Sequence, residues 1–287
     1  MSEKVKTSFG FHRHFWPRFF QQTSVKAGLL LILVVTAGCA FSNVLTIYPP
    51  NQQGDLLTSR YLPPSSEHPF GTDKFARDVF SRVLYGGRIS LIIAFSVVAL
   101  SISLGVLYGT VSGYAGGFVD VLMMRVLDFL LAFPAIYLVL TVVTVCHANH
   151  WYLIPVLGLT GWMETARMVR AEVISIKERD FVLAAKGLGF SHFRILFFHI
   201  VPNCLNPVIV TATFKVGEVI LLESALSFLG LGVQPPTPSW GSIINDGRQA
   251  LLNAWWVSTF PGMFIVLVVI GFNLIGEGLR VCLNPRE

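Results

Sequence analysis

The chain has 287 residues, of which 53% are hydrophobic and only 13% charged, with a formal net charge of +5. Ordinary soluble domains carry about 25% charged residues, so this composition excludes a water-soluble fold of this size. The basic residues are scattered around apolar runs, which excludes a nucleic-acid-binding domain. The four cysteines (Cys39, Cys146, Cys204 and Cys282) lack paired spacing and exclude a disulfide framework.

The apolar residues come in long blocks. No Asp, Glu, Lys or Arg occurs from Ala27 to Gly54, Ile89 to Val119, Phe129 to Met163 or Gln249 to Gly276. A helix needs about 20 mostly apolar residues to cross the hydrocarbon layer, where no backbone group can go unpaired. The pattern therefore predicts an all-α integral membrane protein with six transmembrane helices, at 27–47, 89–112, 121–146, 151–169, 207–229 and 256–276. Residues 1–26 form an N-terminal segment, 27–47 the first span, 48–87 an outer segment, and 88–287 a core of five spans. Thr36-Ala37-Gly38-Cys39 has the look of a lipoprotein cleavage box. A basic segment precedes the run, however, and Thr36 is polar, so the run reads as an uncleaved signal-anchor helix.

Lys and Arg set the orientation. With the N-terminus inside, fourteen of the twenty-one lie on the cytoplasmic side, among them Lys4, Lys6, Arg13, Arg18 and Lys26. The cluster Lys74, Arg77, Arg82 and Arg88 falls outside and runs against the rule. Pro49, Pro50, Pro63, Pro64 and Pro69 give the outer segment extended and turn character.

The inner stretch from Arg170 to Asn203 differs in kind. Phe181, Ala184, Ala185 and Leu188 follow the i, i+3, i+4, i+7 pattern, as do Phe193, Leu196, Phe197 and Ile200. Gly187 and Gly189 separate the stripes. This predicts two short amphipathic helices joined at a glycine bend on the cytoplasmic face. In the second span Gly105, Gly109, Gly113 and Gly117 recur every four residues. Gly105 and Gly109 are expected to form a helix-packing face, since small residues let helices approach closely in lipid. Gly113 and Gly117 are expected in a loop.

No G-x-x-x-x-G-K-S/T, H-E-x-x-H or G-x-S-x-G motif occurs, so no ATP hydrolysis by that loop and no common hydrolase chemistry is expected. No catalytic residue is assigned. His147 and His150 have no carboxylate or thiolate beside them and read as interfacial residues, so no metal site is expected. Lys215 and Glu218 share a face of the fifth span, with Glu223 one step round. Charges inside a bilayer are costly and mark either a polar path or a mutual pair.

Three stretches carry a resemblance. HPFGTDKFARDVFSRVLYGGRISL (His68–Leu91), RDFVLAAKGLGFSHFRILFFHIVPN (Arg179–Asn203) and ESALSFLGLGVQPPTPSWG (Glu223–Gly241) are similar to the permease subunits of the dipeptide, oligopeptide and nickel group of ATP-binding-cassette importers. The resemblance implies the type I importer permease fold. It also implies a multi-pass subunit of the bacterial inner membrane, with residues 48–87 periplasmic. Its partners would be a second similar permease, two ATPase subunits that bind the ATP and magnesium, and an extracytoplasmic solute-binding protein. This chain itself would hold no cofactor. Residues 171–203 would be the cytoplasmic coupling loop, with Ala184, Ala185, Lys186, Gly187, Leu188, Gly189 and Phe190 at its tip. Leu183 stands where the family's E-A-A motif has its glutamate. Peptide is the first expectation for the cargo, and nickel or a metal chelate the second. A secondary transporter is a distant alternative, because no repeat relates the two halves of the chain.

Overall fold

The computed structural model describes residues 17–146 and 150–283. Lys4, Lys6, Arg13 and His147 therefore lie outside the described residues. The helices in chain order are α1 (Thr23–Ala40), followed by a single turn at Ser42–Leu45, then α2 (Val79–Ala115), α3 (Gly117–Leu131), α4 (Ala135–Cys146), α5 (Leu153–Gly161) and α6 (Met163–Lys177). They continue with α7 (Asp180–Gly187), α8 (His192–Ile195), α9 (Val201–Phe228), α10 (Trp240–Gly247) and α11 (Trp256–Leu283). Among the described residues the β pairing is confined to one antiparallel bridge, Thr72 with Asp78.

Four helices are long and apolar enough to cross a membrane: Thr23–Ala40, Val79–Ala115, His192–Phe228 and Trp256–Leu283. The predicted third span is broken. Its two parts bend by 73°, and the pair makes a fifth span if counted together. Pro134 lies at the break, where it lacks an N–H to donate and its ring crowds the preceding turn. The predicted fourth span divides at Trp162 into α5 and α6. The second span starts earlier than its apolar run. α2 takes up Val79–Gly87 because Asp78 caps it, accepting the Ser81 N–H at 2.7 Å. The second amphipathic helix is also not separate. α8 passes through a π turn, Leu196–Ile200, directly into α9.

The chain forms two compact units, one of residues 1–92 with 213–287 and one of residues 93–212; α2 and α9 contribute to both. In the first unit α1 packs on α11 through glycine. A Cβ on Gly28 would stand 2.7 Å from the Gly271 carbonyl oxygen, and one on Gly271 would stand 2.8 Å from Ile32. Close backbone approach of this kind replaces the hydrophobic driving force that lipid removes. The outer segment is tied to the start of α11. Phe70 stacks on Phe260 with centroids 4.0 Å apart, and the Trp256 indole N–H donates to the Thr72 carbonyl at 3.2 Å.

The outer basic cluster, at odds with the charge rule, is neutralised within this unit. Asp246 on α10 receives Lys74 at 2.9 Å, Arg77 at 3.0 Å and Arg82 at 3.2 Å. Asp73 receives Arg77 at 2.7 Å. Arg88 donates to the carbonyls of Cys39 and Ala40 at the end of α1, and so satisfies backbone oxygens that the helix end leaves open. These cations are held by carboxylates and carbonyl oxygens of the same unit.

The second unit holds α2 against α6 by its glycine stripe. A Cβ on Gly105 would stand 2.6 Å from the Thr165 Cβ, and one on Gly113 would stand 2.9 Å from the Arg170 carbonyl oxygen. Gly109 meets the Ala166 carbonyl oxygen still more closely. Gly113 is thus a helical packing residue and not the expected loop. Gly117 is likewise not in a loop but opens α3 with φ +53°, directly after its N-cap Gly116 at +65°.

Candidate functional site

The hairpin of α7 and α8 is built by its own sequence. α6 ends at Lys177, and Asp180 occupies the first turn of α7, where an acidic side chain favours the helix dipole. α7 ends in a Schellman motif: the Gly189 N–H donates to Lys186 O at 3.0 Å and the Phe190 N–H to Ala185 O at 3.2 Å. Gly189 has φ +77°, a conformation that a Cβ disfavours, although no atom within 4 Å would meet that Cβ. The glycine is required by the backbone and not by crowding. Gly187 is an ordinary helical residue with open space around it. Ser191 then caps α8 by accepting the Arg194 N–H at 3.3 Å. Two capping devices back to back define the bend.

The faces of this hairpin are not those the stripes suggest. Val182, Ala185, Ile195 and Ile200 are buried with Val169, Val173 and Ile176 of α6. Of the first predicted stripe Ala185 alone is buried; Phe181, Ala184 and Leu188 are exposed. Phe193 and Phe197 of the second are exposed as well, while Ile200 is buried. Leu188 is 74% exposed and Phe193 68%. Phe190, Phe193, Arg194, Phe198 and His199 line an open groove of about 490 Å³ beside the bend. Arg194 lies over the Phe190 ring at 4.3 Å, and Phe190 stacks on His199. Lys186 and Leu183 face outward too.

The hairpin is tied to the α2–α3 corner. The Tyr114 hydroxyl and His192 Nδ1 are 2.8 Å apart, and Lys177 donates to the Tyr114 carbonyl at 3.0 Å. Arg170 grips Asp120 through two nitrogens, one bond at 2.6 Å, and Ser112 donates to the same carboxylate. Sequence reasoning missed these partners. They are single polar residues at distant positions, with no periodic signal to reveal them.

The three ionisable residues of α9 have different surroundings. Glu223 is enclosed within the chain, at 0% exposure. It accepts from Ser90 at 2.9 Å and from Ser227 at 2.7 Å. The same serines reach the segment beyond: the Ser239 hydroxyl is 3.3 Å from Ser227, and the Trp240 N–H donates to Ser90 at 3.3 Å. Trp240 is itself fully buried and donates its indole N–H to the Val83 carbonyl. The residues of Glu223–Gly241 thus form one polar hub within the first unit. Lys215 is buried at 7% exposure and Glu218 is exposed. The mutual pair that their spacing permits is not made; the ion pairs of the described residues include neither.

Comparisons with known proteins agree on a class. A family model described as "Binding-protein-dependent transport system inner membrane component" matches residues 101–287. A dipeptide transport system permease protein of Alkalihalophilus pseudofirmus is 38% identical over 94% of this chain and 90% of its own length. A putative peptide transport system permease protein of Brucella suis is 42% identical over the same shares. An oligopeptide transport system permease protein of Bacillus subtilis is 37% identical over 99% of this chain and 93% of its own length.

Proposed function

Because the chain belongs to the inner-membrane components of binding-protein-dependent transport systems, we propose that it forms one half of the translocation path of an ATP-driven importer of di- or oligopeptides. Its relatives are named for peptide, dipeptide and oligopeptide transport. The second half is a similar permease, the motor is a pair of ATPase subunits that carry the ATP and magnesium, and cargo arrives on an extracytoplasmic binding protein. The N-terminus is cytoplasmic in this reading.

The observation that carries the mechanism is the exposed apolar tip of a well-capped hairpin. Leu188, Phe193 and Phe198 cost free energy in water, yet the backbone that displays them is held rigid by the Schellman motif and the Ser191 cap. A surface that is ordered and apolar is suited to a protein groove. When the ATPases close, force on the tip passes through the buried contacts of Val182 and Ile195 to α6, and through the glycine stripe to α2. The spans then switch between two packed arrangements as rigid bodies. Lys215 and Glu218 are the candidates for the path, and Glu223 holds the segment that frames it.

Two experiments test this. The four-subunit complex in proteoliposomes, with the binding protein outside and ATP at the motor, should accumulate labelled trialanine; no uptake under those conditions refutes the peptide reading. In a cysteine-free background, Ser65→Cys should react with an impermeant thiol reagent from outside, and Ser191→Cys only after the membrane is opened. Outside labelling of the Ser191 position overturns the orientation.

A further inference from the structure

Among the described residues Lys215 makes no ion pair. Its stem is buried in α9, where it is the sole charged residue between Val201 and Gly217. The same stretch is pressed against α11: a Cβ on Gly276 would meet Thr213 and Phe214, and one on Gly217 would stand 3.5 Å from Val269. α11 carries no charge from Trp256 to Gly276, and α1 none beyond Lys26. α2 carries none beyond Arg88. Of the carboxylates on α9 itself, Glu223 lies two turns along and is occupied by Ser90 and Ser227, while Glu218 faces outward unpaired. Lys215 keeps 7% of its surface exposed. A buried cation in a span needs an anion, and the described residues supply none.

We propose that Lys215 binds the C-terminal carboxylate of the peptide in transit. This rests on the peptide-permease reading above. The chemistry fits a broad cargo, since every peptide ends in a carboxylate whatever its side chains. One ammonium in a low-dielectric seam therefore recognises the class without reading the sequence. Glu218, one turn along the same helix and unpaired, supplies the opposite charge that a zwitterion requires near its other end. Lys215 would be a specificity-determining residue of the path, distinct from the Glu223 hub, whose carboxylate is already satisfied.

The test uses the complete importer in proteoliposomes, with trialanine and trialanine amide each supplied at a concentration that saturates the binding protein. The intact complex should carry the free acid about tenfold or more faster than the amide, the loss expected when a charged hydrogen-bond partner is removed. Lys215→Met should bring the two rates within about twofold by slowing the acid, whereas Lys215→Arg, which keeps the charge, should preserve discrimination. Unchanged discrimination in an assembled Lys215→Met complex overturns the proposal. So does failure of both Lys215→Met and Lys215→Gln complexes to assemble, which would assign the lysine to a carboxylate of the partner permease. If the unmodified complex carries neither form, the peptide reading fails first and this assignment with it.

Discussion

The outer segment and the coupling hairpin are built on opposite principles. Around Asp246 and Glu223, charged and polar groups are gathered from distant parts of the chain and answered there: three cations meet one carboxylate, and two serines meet the other. At the hairpin the bend itself is made by caps a few residues apart, one distant contact joins His192 to Tyr114, and the apolar side chains are left facing outward. The first region is complete within the chain. The second leaves Leu188, Phe193 and Phe198 exposed, the surface proposed above to meet the ATPase. Substitutions in the two regions should therefore fail differently, in folding at the outer segment and in coupling at the hairpin.

The largest effect should come from Gly189→Arg. The residue stands at φ +77° at the apex of the bend, where a side chain forces the backbone out of the Schellman geometry or carries a bulky charge into the partner's groove. Transport should be abolished while the protein stays in the membrane, because its apolar spans are untouched. The ATPases should dissociate or hydrolyse ATP without responding to the loaded binding protein. Normal transport with substrate-stimulated hydrolysis would remove this bend from the coupling route. Gly189→Ala refines the point: it adds no bulk that meets an atom, so any loss it causes reports the backbone cost, about 1–2 kcal/mol.

Next in size is Asp246→Ala. It leaves Lys74, Arg77 and Arg82 without their common partner, while Asp73 still answers Arg77 at 2.7 Å and Arg82 at 3.4 Å, so the cost falls below the about 3–5 kcal/mol of a wholly uncompensated buried charge. The expected result is a large fall in thermal stability of the detergent-solubilised protein, with coupling intact in whatever fraction survives. A melting temperature like that of the unmodified chain would mean the outer cluster is not an anchor. Swapping roles with the hairpin, a folded but uncoupled Asp246→Ala protein, would undo the comparison altogether.

How far the sequence foretold these two regions follows from the same contrast. The membrane class, the bend at Gly187–Phe190 and the glycine face of α2 were legible, because apolar length, glycine position and helical period are local signals. The burial pattern of the hairpin was not. A period identifies an amphipathic helix but does not tell a core face from an exposed one: Phe181, Ala184 and Leu188 of the stripe are exposed, and Val182 and Ala185 fill the core. The Glu223 hub was missed for the opposite reason. Ser90, Ser227, Ser239 and Trp240 come from positions up to 150 residues apart, and no spacing rule unites them. The break at Pro134 and the division at Trp162 were hidden because an apolar run specifies length in lipid, not straightness.

A smaller effect is expected from Leu188→Ala combined with Phe193→Ala. Both side chains are largely exposed, so the fold should lose no more than about 0.5 kcal/mol. Affinity for the ATPase subunits should fall by more than about 1 kcal/mol if these residues are anchors of the interface. Thermal melting of the permease and a binding titration with the purified ATPases separate the two quantities. A large drop in melting temperature with unchanged binding would make this face part of the core.

The smallest effect is expected from Lys186→Ala, and it is informative for that reason. Lys186 lies in the last turn of α7, next to the bend, exposed and outside every ion pair of the described residues. A cation there favours the helix dipole by about 0.3–1 kcal/mol at low salt, and less as salt screens it. Its backbone carbonyl, not its side chain, accepts the Gly189 N–H, so alanine leaves the Schellman motif in place. If the hairpin docks by shape and apolar contact, transport should stay within about twofold of the unmodified importer, since an exposed charge contributes about 0–1 kcal/mol. The measurement is the uptake rate at two ionic strengths. A loss as deep as that of Gly189→Arg, relieved or worsened by salt, would mean that charge holds the loop to its motor and that the exposed aromatic face is bystander surface.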